Sequence, residues 1–363
     1  MENTSIKSSP TVKTNSLKAW ILAARPKTLT GAAAPVLVGA VLAWATLVGI
    51  SSDFFPKFWI IPSAICLAFA LAMQIDANFI NDYFDWKKGA DSEERLGPER
   101  ACSKGWITPG AMKTGIVFTT VLSVLLGIPL VYYGGWWMLA VGLFCVIGAF
   151  LYTTKMSYRG WGDVMVVLFF GIVPVFFTWF VSTYKYLPLQ YLAMADTFRD
   201  PDTFYLKFVI KPYRCTWPNI VFAGLAMGLV VNNLLIVNNY RDREIDKKNG
   251  KKTLVVRWGA RVSEWLYLIN GCFAVFGMMM VIRWVLNRLF IGIYKRAVAF
   301  PIYLLIPLLF LPFLFSAHRK MVRINHGKQL NESLGEAARN ILIFSVLFVV
   351  TMVISVLSFW YSR

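Results

Sequence analysis

Two stretches of this 363-residue chain gather carboxylates, amides and bases at helical spacing. The first reads Asn78-Phe-Ile-Asn81-Asp82-Tyr-Phe-Asp85-Trp-Lys87-Lys88-Gly-Ala-Asp91 and runs on to Gly97-Pro98-Glu99-Arg100. The second reads Asn238-Asn239-Tyr-Arg241-Asp242-Arg-Glu-Ile-Asp246-Lys247-Lys248 and runs on to Lys251-Lys252-Thr253. Asn81 precedes Asp85 by four residues, as Asn238 precedes Asp242, and Asp246 follows after four more. Residues at i, i+4 and i+8 of a helix share a face. Carboxylates stacked in this way repel by a few tenths of a kcal/mol per pair and invite a compensating cation. Oxygen-only ligands with no nearby His or Cys suit a hard ion, and Mg²⁺ is the usual one when phosphate completes its shell. Bases follow each cluster, Arg100 and Lys104 after the first and Lys251 and Lys252 after the second. Acid for a metal beside base for phosphate points to a metal diphosphate site. The plainer alternative, two charged loops that only set membrane topology, is weakened by the recurrence of one pattern.

Other residues extend the two clusters. Gln74, Asn78, Asn81 and Asp85 follow i, i+4, i+7 spacing and form a polar stripe leading to the first cluster, so this stripe is expected to face inward. Asp76 lies nearly opposite Asn78 on the same helix and requires a polar partner of its own. In Tyr152-Thr-Thr-Lys155-Met-Ser-Tyr158-Arg159, Lys155 and Arg159 can bind diphosphate, and Tyr152 or Tyr158 can stabilise a cation through its ring. Near the start, Arg25-Pro26-Lys27 is either an interfacial anchor or, through Arg25, a binding group for an anionic aromatic substrate.

The elements that must position these residues are membrane helices. The chain is 57% hydrophobic and 15% charged, well outside soluble composition. A bilayer core requires about 20 apolar helical residues per crossing. Nine runs qualify, roughly 28 to 50, 58 to 80, 112 to 133, 135 to 153, 162 to 183, 219 to 238, 264 to 283, 296 to 315 and 339 to 361. The expected fold is therefore all-α and polytopic: a segment 1–27, then an intramembrane domain 28–363 with two four-helix units plus one further helix. A net charge of +18 would suggest nucleic acid on a soluble chain, but here 26 of the 37 Lys and Arg fall on one face of the membrane. That face is read as cytoplasmic, with the N-terminus and both acidic clusters on it, the C-terminus outside, and no nucleic-acid partner. Segment 184–218 is read as an extracytoplasmic loop. The five cysteines indicate neither a disulfide framework nor a metal site, and nothing specifies an oligomeric state.

The paired motifs, the Ala24-Arg25-Pro26-Lys27-Thr28 start, Gly97-Pro98 with Arg100, and Lys252-Thr253-Leu254 resemble the UbiA superfamily of intramembrane aromatic prenyltransferases. Glycine stands at position 89, where many members carry the third carboxylate, and the next acid is Asp91; this longer spacing resembles the naphthoate branch. The resemblance implies transfer of a polyprenyl group from its diphosphate to 1,4-dihydroxy-2-naphthoate, with loss of CO₂, at the cell's inner membrane. It implies Mg²⁺ held by Asn81, Asp85, Asp91, Asn238, Asp242 and Asp246, with Asp82 in the same ligand set. Arg100, Lys155, Arg241 and Lys252 would contact the diphosphate, with Arg159 nearby; Asn78 and Arg25 would bind substrate, and Tyr152 would face the allylic cation. Asp85, Asp242, Tyr152 and Lys155 are the residues expected to carry catalysis. Two rival readings are a UbiA-type enzyme with another acceptor, such as 4-hydroxybenzoate, and an ion-coupled transporter, whose carboxylates should lie near the midplane rather than at span ends.

Overall fold

The computed structural model describes residues 12–48, 59–89, 96–185, 211–294 and 302–361. Among them are nine helices long and apolar enough to cross a membrane: Leu17–Val48, Ile60–Lys87, Pro109–Gly134, Trp137–Arg159, Gly162–Thr183, Thr216–Lys248, Ala260–Val285, Ile302–Ile324 and Leu330–Ser358. They are numbered here as spans one to nine. The expected count holds, and most helices are longer than their apolar runs because they continue into the polar interface. The sixth helix begins at Lys211 and the second ends at Lys87, so 211–218 and 81–87 are helical rather than loop. Residues 186–210, the bulk of the expected outer loop, and Asp91 lie outside the described residues.

Local sequence sets several boundaries. The first span is broken near its start: Ser16 caps Leu17–Ala24 by accepting from the Ala19 amide, then Arg25 adopts a left-handed conformation (φ 51°) ahead of Pro26. The third span opens with Thr108 accepting from the Ala111 amide and Pro109 in the first turn, where a missing N–H costs nothing. Outward faces are apolar, as lipid contact requires. On the third span Val117, Phe118, Leu125 and Ile128 are all exposed, and Trp136 and Trp137 stand out at its far end, each 80% exposed.

The most extensive pairings join the second span to the third and the sixth to the seventh, the same relation in each four-helix half. The first span packs against the second, fifth and ninth, and the ninth also contacts the sixth, seventh and eighth. Two seams are too close for side chains. A β-carbon on Gly39 would lie 2.6 Å from the Val175 carbonyl oxygen, between the first and fifth spans. One on Gly171 would lie 2.4 Å from the Gly224 oxygen, and one on Gly228 2.6 Å from the Val167 oxygen, between the fifth and sixth. Asp76 finds the partners it requires on the third span: the Thr119 and Thr120 hydroxyls donate to its two oxygens at 2.6 and 2.8 Å.

Candidate active site

The helical continuation of the second and sixth spans carries both acidic clusters past the apolar runs and turns them into one cavity of about 410 Å³. Asn81 and Asp85 line it from the second span; Asn238, Asn239, Asp242 and Asp246 line it from the sixth. From Asp85 the wall continues along the second span to Cys66, 19 residues or about 28 Å away at 1.5 Å per residue. That deeper portion is apolar, with Phe69, Leu130, Met138 and Phe177 among its residues. The result is a polar mouth above a long greasy groove.

Each mouth carboxylate is held by a base. Arg100 Nη2 donates to Asp85 Oδ2, and Arg100 Nη1 donates to the Asn81 carbonyl at 2.7 Å. Lys251 Nζ lies 3.3 Å from Asp246. Arg241 binds Asp242 in a fork, Nε to Oδ1 at 2.8 Å and Nη2 to Oδ2 at 2.7 Å. Arg241 also donates to Asn238 Oδ1 at 2.7 Å and to Asn331 Oδ1 at 2.8 Å. Asn331 in turn donates to the Leu96 carbonyl at 2.9 Å, so one side chain at the start of the ninth span ties the second motif to the loop carrying Arg100.

Several expected site residues have other work. Both oxygens of Asp82 accept at 2.9 Å from the amides of Ala101 and Cys102, and the residue is 1% exposed and absent from the cavity wall. It anchors the Arg100 loop and does not face the cavity with the other carboxylates. Arg241 is 3% exposed, off the wall, and turned to Asp242 rather than to the cavity. Lys155, Arg159 and Lys252 are exposed and do not reach the cavity. The reason at Lys155 is a π-helical turn over Tyr152–Met156, whose wider repeat puts Tyr152 and Ser157 on the wall and leaves Lys155 outside. Arg25, Asn78, Arg100 and Tyr152 do line the cavity. Asn78 also donates to the Ala24 carbonyl at 2.9 Å and to Thr28 Oγ1 at 3.1 Å, pinning the break in the first span.

Further residues complete the mouth. Lys251, not its neighbour Lys252, reaches the cavity. Thr253 also lines it, with a buried hydroxyl that has no partner among the described residues. Lys88 sits 4.0 Å above the Tyr158 ring and Lys251 5.2 Å from the same ring, so bases from both motifs converge there. The Lys88 ammonium is held below the usual lysine value by partial burial; Asp85 opposes that shift and Lys251 adds to it. Basic residues after each motif were the available signal for Lys88 and Lys251; nothing local marks Asn331.

The donor set fits Mg²⁺. Three carboxylates (Asp85, Asp242 and Asp246) and three side-chain amides (Asn81, Asn238 and Asn239) face the cavity mouth, all offering oxygen. Among the described residues no three acidic groups form a ready-made cage, and Mg²⁺ ordinarily takes one or two carboxylates plus substrate phosphate and water.

Comparison with known proteins agrees with this architecture. The model for the UbiA prenyltransferase family matches residues 32–344. The chain is 31% identical over 290 residues to the 1,4-dihydroxy-2-naphthoate octaprenyltransferase of Haemophilus influenzae, covering 76% of this chain and 82% of that one. It is 31% identical over 263 residues to the protein of the same name from Mycobacterium tuberculosis, covering 72% and 76%. Among solved structures, an apo UbiA homolog from Aeropyrum pernix K1 superposes with a TM-score of 0.59 at 13% identity, over 90% of this chain and 99% of that one. A UbiA homolog from Archaeoglobus fulgidus bound to GPP and Mg²⁺ gives 0.53 at 16% identity, over 93% and 99%. At such identities these two structures speak for the fold alone. With paired motifs meeting in one intramembrane cavity and a family match over most of its length, this multi-pass membrane chain belongs to the UbiA prenyltransferase family.

Proposed function

We propose that the chain transfers a polyprenyl group from polyprenyl diphosphate to 1,4-dihydroxy-2-naphthoate, releasing diphosphate and CO₂ and giving demethylmenaquinol for menaquinone biosynthesis. The observation that carries this reading is the convergence of Asp85, Asp242 and Asp246 on one mouth above an apolar groove. The relatives named for the naphthoate reaction support the choice of acceptor.

Asn81, Asp85, Asn238, Asp242 and Asp246 would hold Mg²⁺. When bound, that ion supplies positive charge to the departing diphosphate. Arg100 and Lys251 contact the diphosphate oxygens, and the Thr253 hydroxyl donates to one of them. These groups stabilise the charge that develops as the allylic C–O bond breaks. The Tyr152 ring faces the resulting cation. The groove holds the polyprenyl chain, which at about 0.8 kcal/mol per buried CH₂ strongly favours an apolar site, and it keeps water from capturing the cation. Arg25 binds the acceptor's carboxylate beside Thr28 and Asn78. The electron-rich ring then forms the new carbon–carbon bond, and its carboxyl group leaves as CO₂. The active-site mouth and N-terminus face the cytoplasm and the C-terminus lies outside, as the one-sided distribution of Lys and Arg favours; the membrane is the cell's inner membrane.

The test is turnover of purified protein with both substrates, with and without Mg²⁺ and in Asp85→Ala and Asp242→Ala. Loss of product in chelator and in both variants is expected. Undiminished turnover in any of these would reject the metal role, and a product that keeps its carboxylate would move the acceptor to another aromatic acid.

A further inference from the structure

Next to Arg25, the cavity wall contains a hydrogen-bond chain whose polarity is fixed. Thr28 Oγ1 donates its one proton to the Arg25 carbonyl at 2.9 Å. Its lone pairs must therefore accept, and they do so from Gln74 Nε2 and Asn78 Nδ2, each at 3.1 Å. Asn78 Nδ2 gives its other proton to the Ala24 carbonyl at 2.9 Å, which leaves Asn78 Oδ1 to take the second Gln74 proton at 3.5 Å. Both Gln74 donors are thereby spent inside the protein. Its remaining polar atom, Oε1, is buried and has no partner among the described residues. Gln74 is 8% exposed and lines the cavity together with Arg25, Thr28 and Asn78. A buried acceptor left unpaired is costly, and the cavity is the side from which a partner can come.

We propose that Gln74 is a specificity-determining residue that accepts a hydrogen bond from a ring hydroxyl of the aromatic acceptor. The inference rests on the aromatic-acid reading above and adds a chemical requirement to it. Since Gln74 Nε2 is already committed to Thr28 and Asn78, the amide cannot turn over to offer a donor. The site accordingly selects a hydroxyl and disfavours an ether, a carbonyl or bare carbon at that position. With Arg25 supplying positive charge on the same wall, the preferred occupant is a hydroxylated aromatic acid. A site built to pair a substrate hydroxyl rejects the analogue lacking it far more strongly than an apolar pocket rejects a change in size.

The experiment is calorimetric titration of the purified full chain with 4-hydroxy-2-naphthoate and with 2-naphthoate, in the absence of prenyl diphosphate so that nothing turns over. The hydroxylated acid is expected to bind about tenfold or more tightly. Gln74→Met should bring the two within about twofold while leaving 2-naphthoate affinity nearly unchanged. Gln74→Leu, which carries no acceptor at all, should behave as Gln74→Met does. An undiminished preference in Gln74→Met or Gln74→Leu, or equal binding by the wild-type chain, would overturn the role of Gln74 while leaving the naphthoate reading in place. Failure of both acids to bind the wild-type chain would remove that reading, and this inference with it.

Discussion

The two acidic helix ends share a sequence spacing and differ in how they are held. At the end of the second span, Asp85 is partnered by Arg100, which arrives on a loop 15 residues later. Asp82 fixes that loop through the Ala101 and Cys102 amides. At the end of the sixth span, Asp242 is gripped by its own neighbour Arg241, braced by Asn238 and Asn331. Asn239, which corresponds in register to Asp82, lines the cavity, whereas Asp82 does not. A repeated motif thus preserves where its outermost oxygens point while its intervening residues are free to take different structural duties. The first half is closed by a loop and the second by its own helix and the ninth span.

The largest effect should come where the halves are equivalent. Asp85→Asn and Asp242→Asn are each expected to lower kcat/KM by about 10²- to 10³-fold, the loss typical of one aimed electrostatic group; a strong effect in only one would break the equivalence. The next comparison separates the two arginines. Arg241→Ala breaks a part-buried fork and should cost about 1–3 kcal/mol of stability, read as a lower thermal midpoint in detergent. Arg100→Ala removes a cavity-facing cation and should depress turnover more than the midpoint. Lys251→Ala should raise KM for prenyl diphosphate about tenfold, as expected for a lost charged contact, whereas exposed Lys252→Ala should stay within about twofold. The smallest effect tests the link between halves. Asn331→Asp keeps an acceptor for Arg241 and loses the donor to Leu96, so it should raise that KM by only a few-fold, about 1 kcal/mol. An Asn331→Asp chain indistinguishable from wild type would confine the role of Asn331 to the second half.

Much of this was legible in the sequence because it follows from periodicity. Nine apolar runs correspond to nine spans among the described residues, and i, i+4, i+8 spacing puts Asn238, Asp242 and Asp246 on one wall. The polar stripe from Gln74 to Asp85 faces the cavity for the same reason. The structure places expected residues away from the cavity where the backbone departs from the regular α repeat or where loops decide. The π turn moved Lys155 out, a one-residue offset after the sixth span exchanged Lys252 for Lys251, and Asp82 found backbone amides 19 and 20 residues away. Asn331 meets Arg241 across 90 residues of sequence, and Leu96 across 235, separations on which no local pattern reports.

The glycine seam between the fifth and sixth spans has a genetic consequence. Gly228 lies 14 residues from Asp242 on one continuous helix, about 21 Å at 1.5 Å per residue. A methyl group there must wedge two backbones apart and swing the far tip of that lever. An alanine allele at Gly228 would therefore be mistaken in a screen for a ruined catalyst, although it touches no reactant and no dose of substrate would repair it.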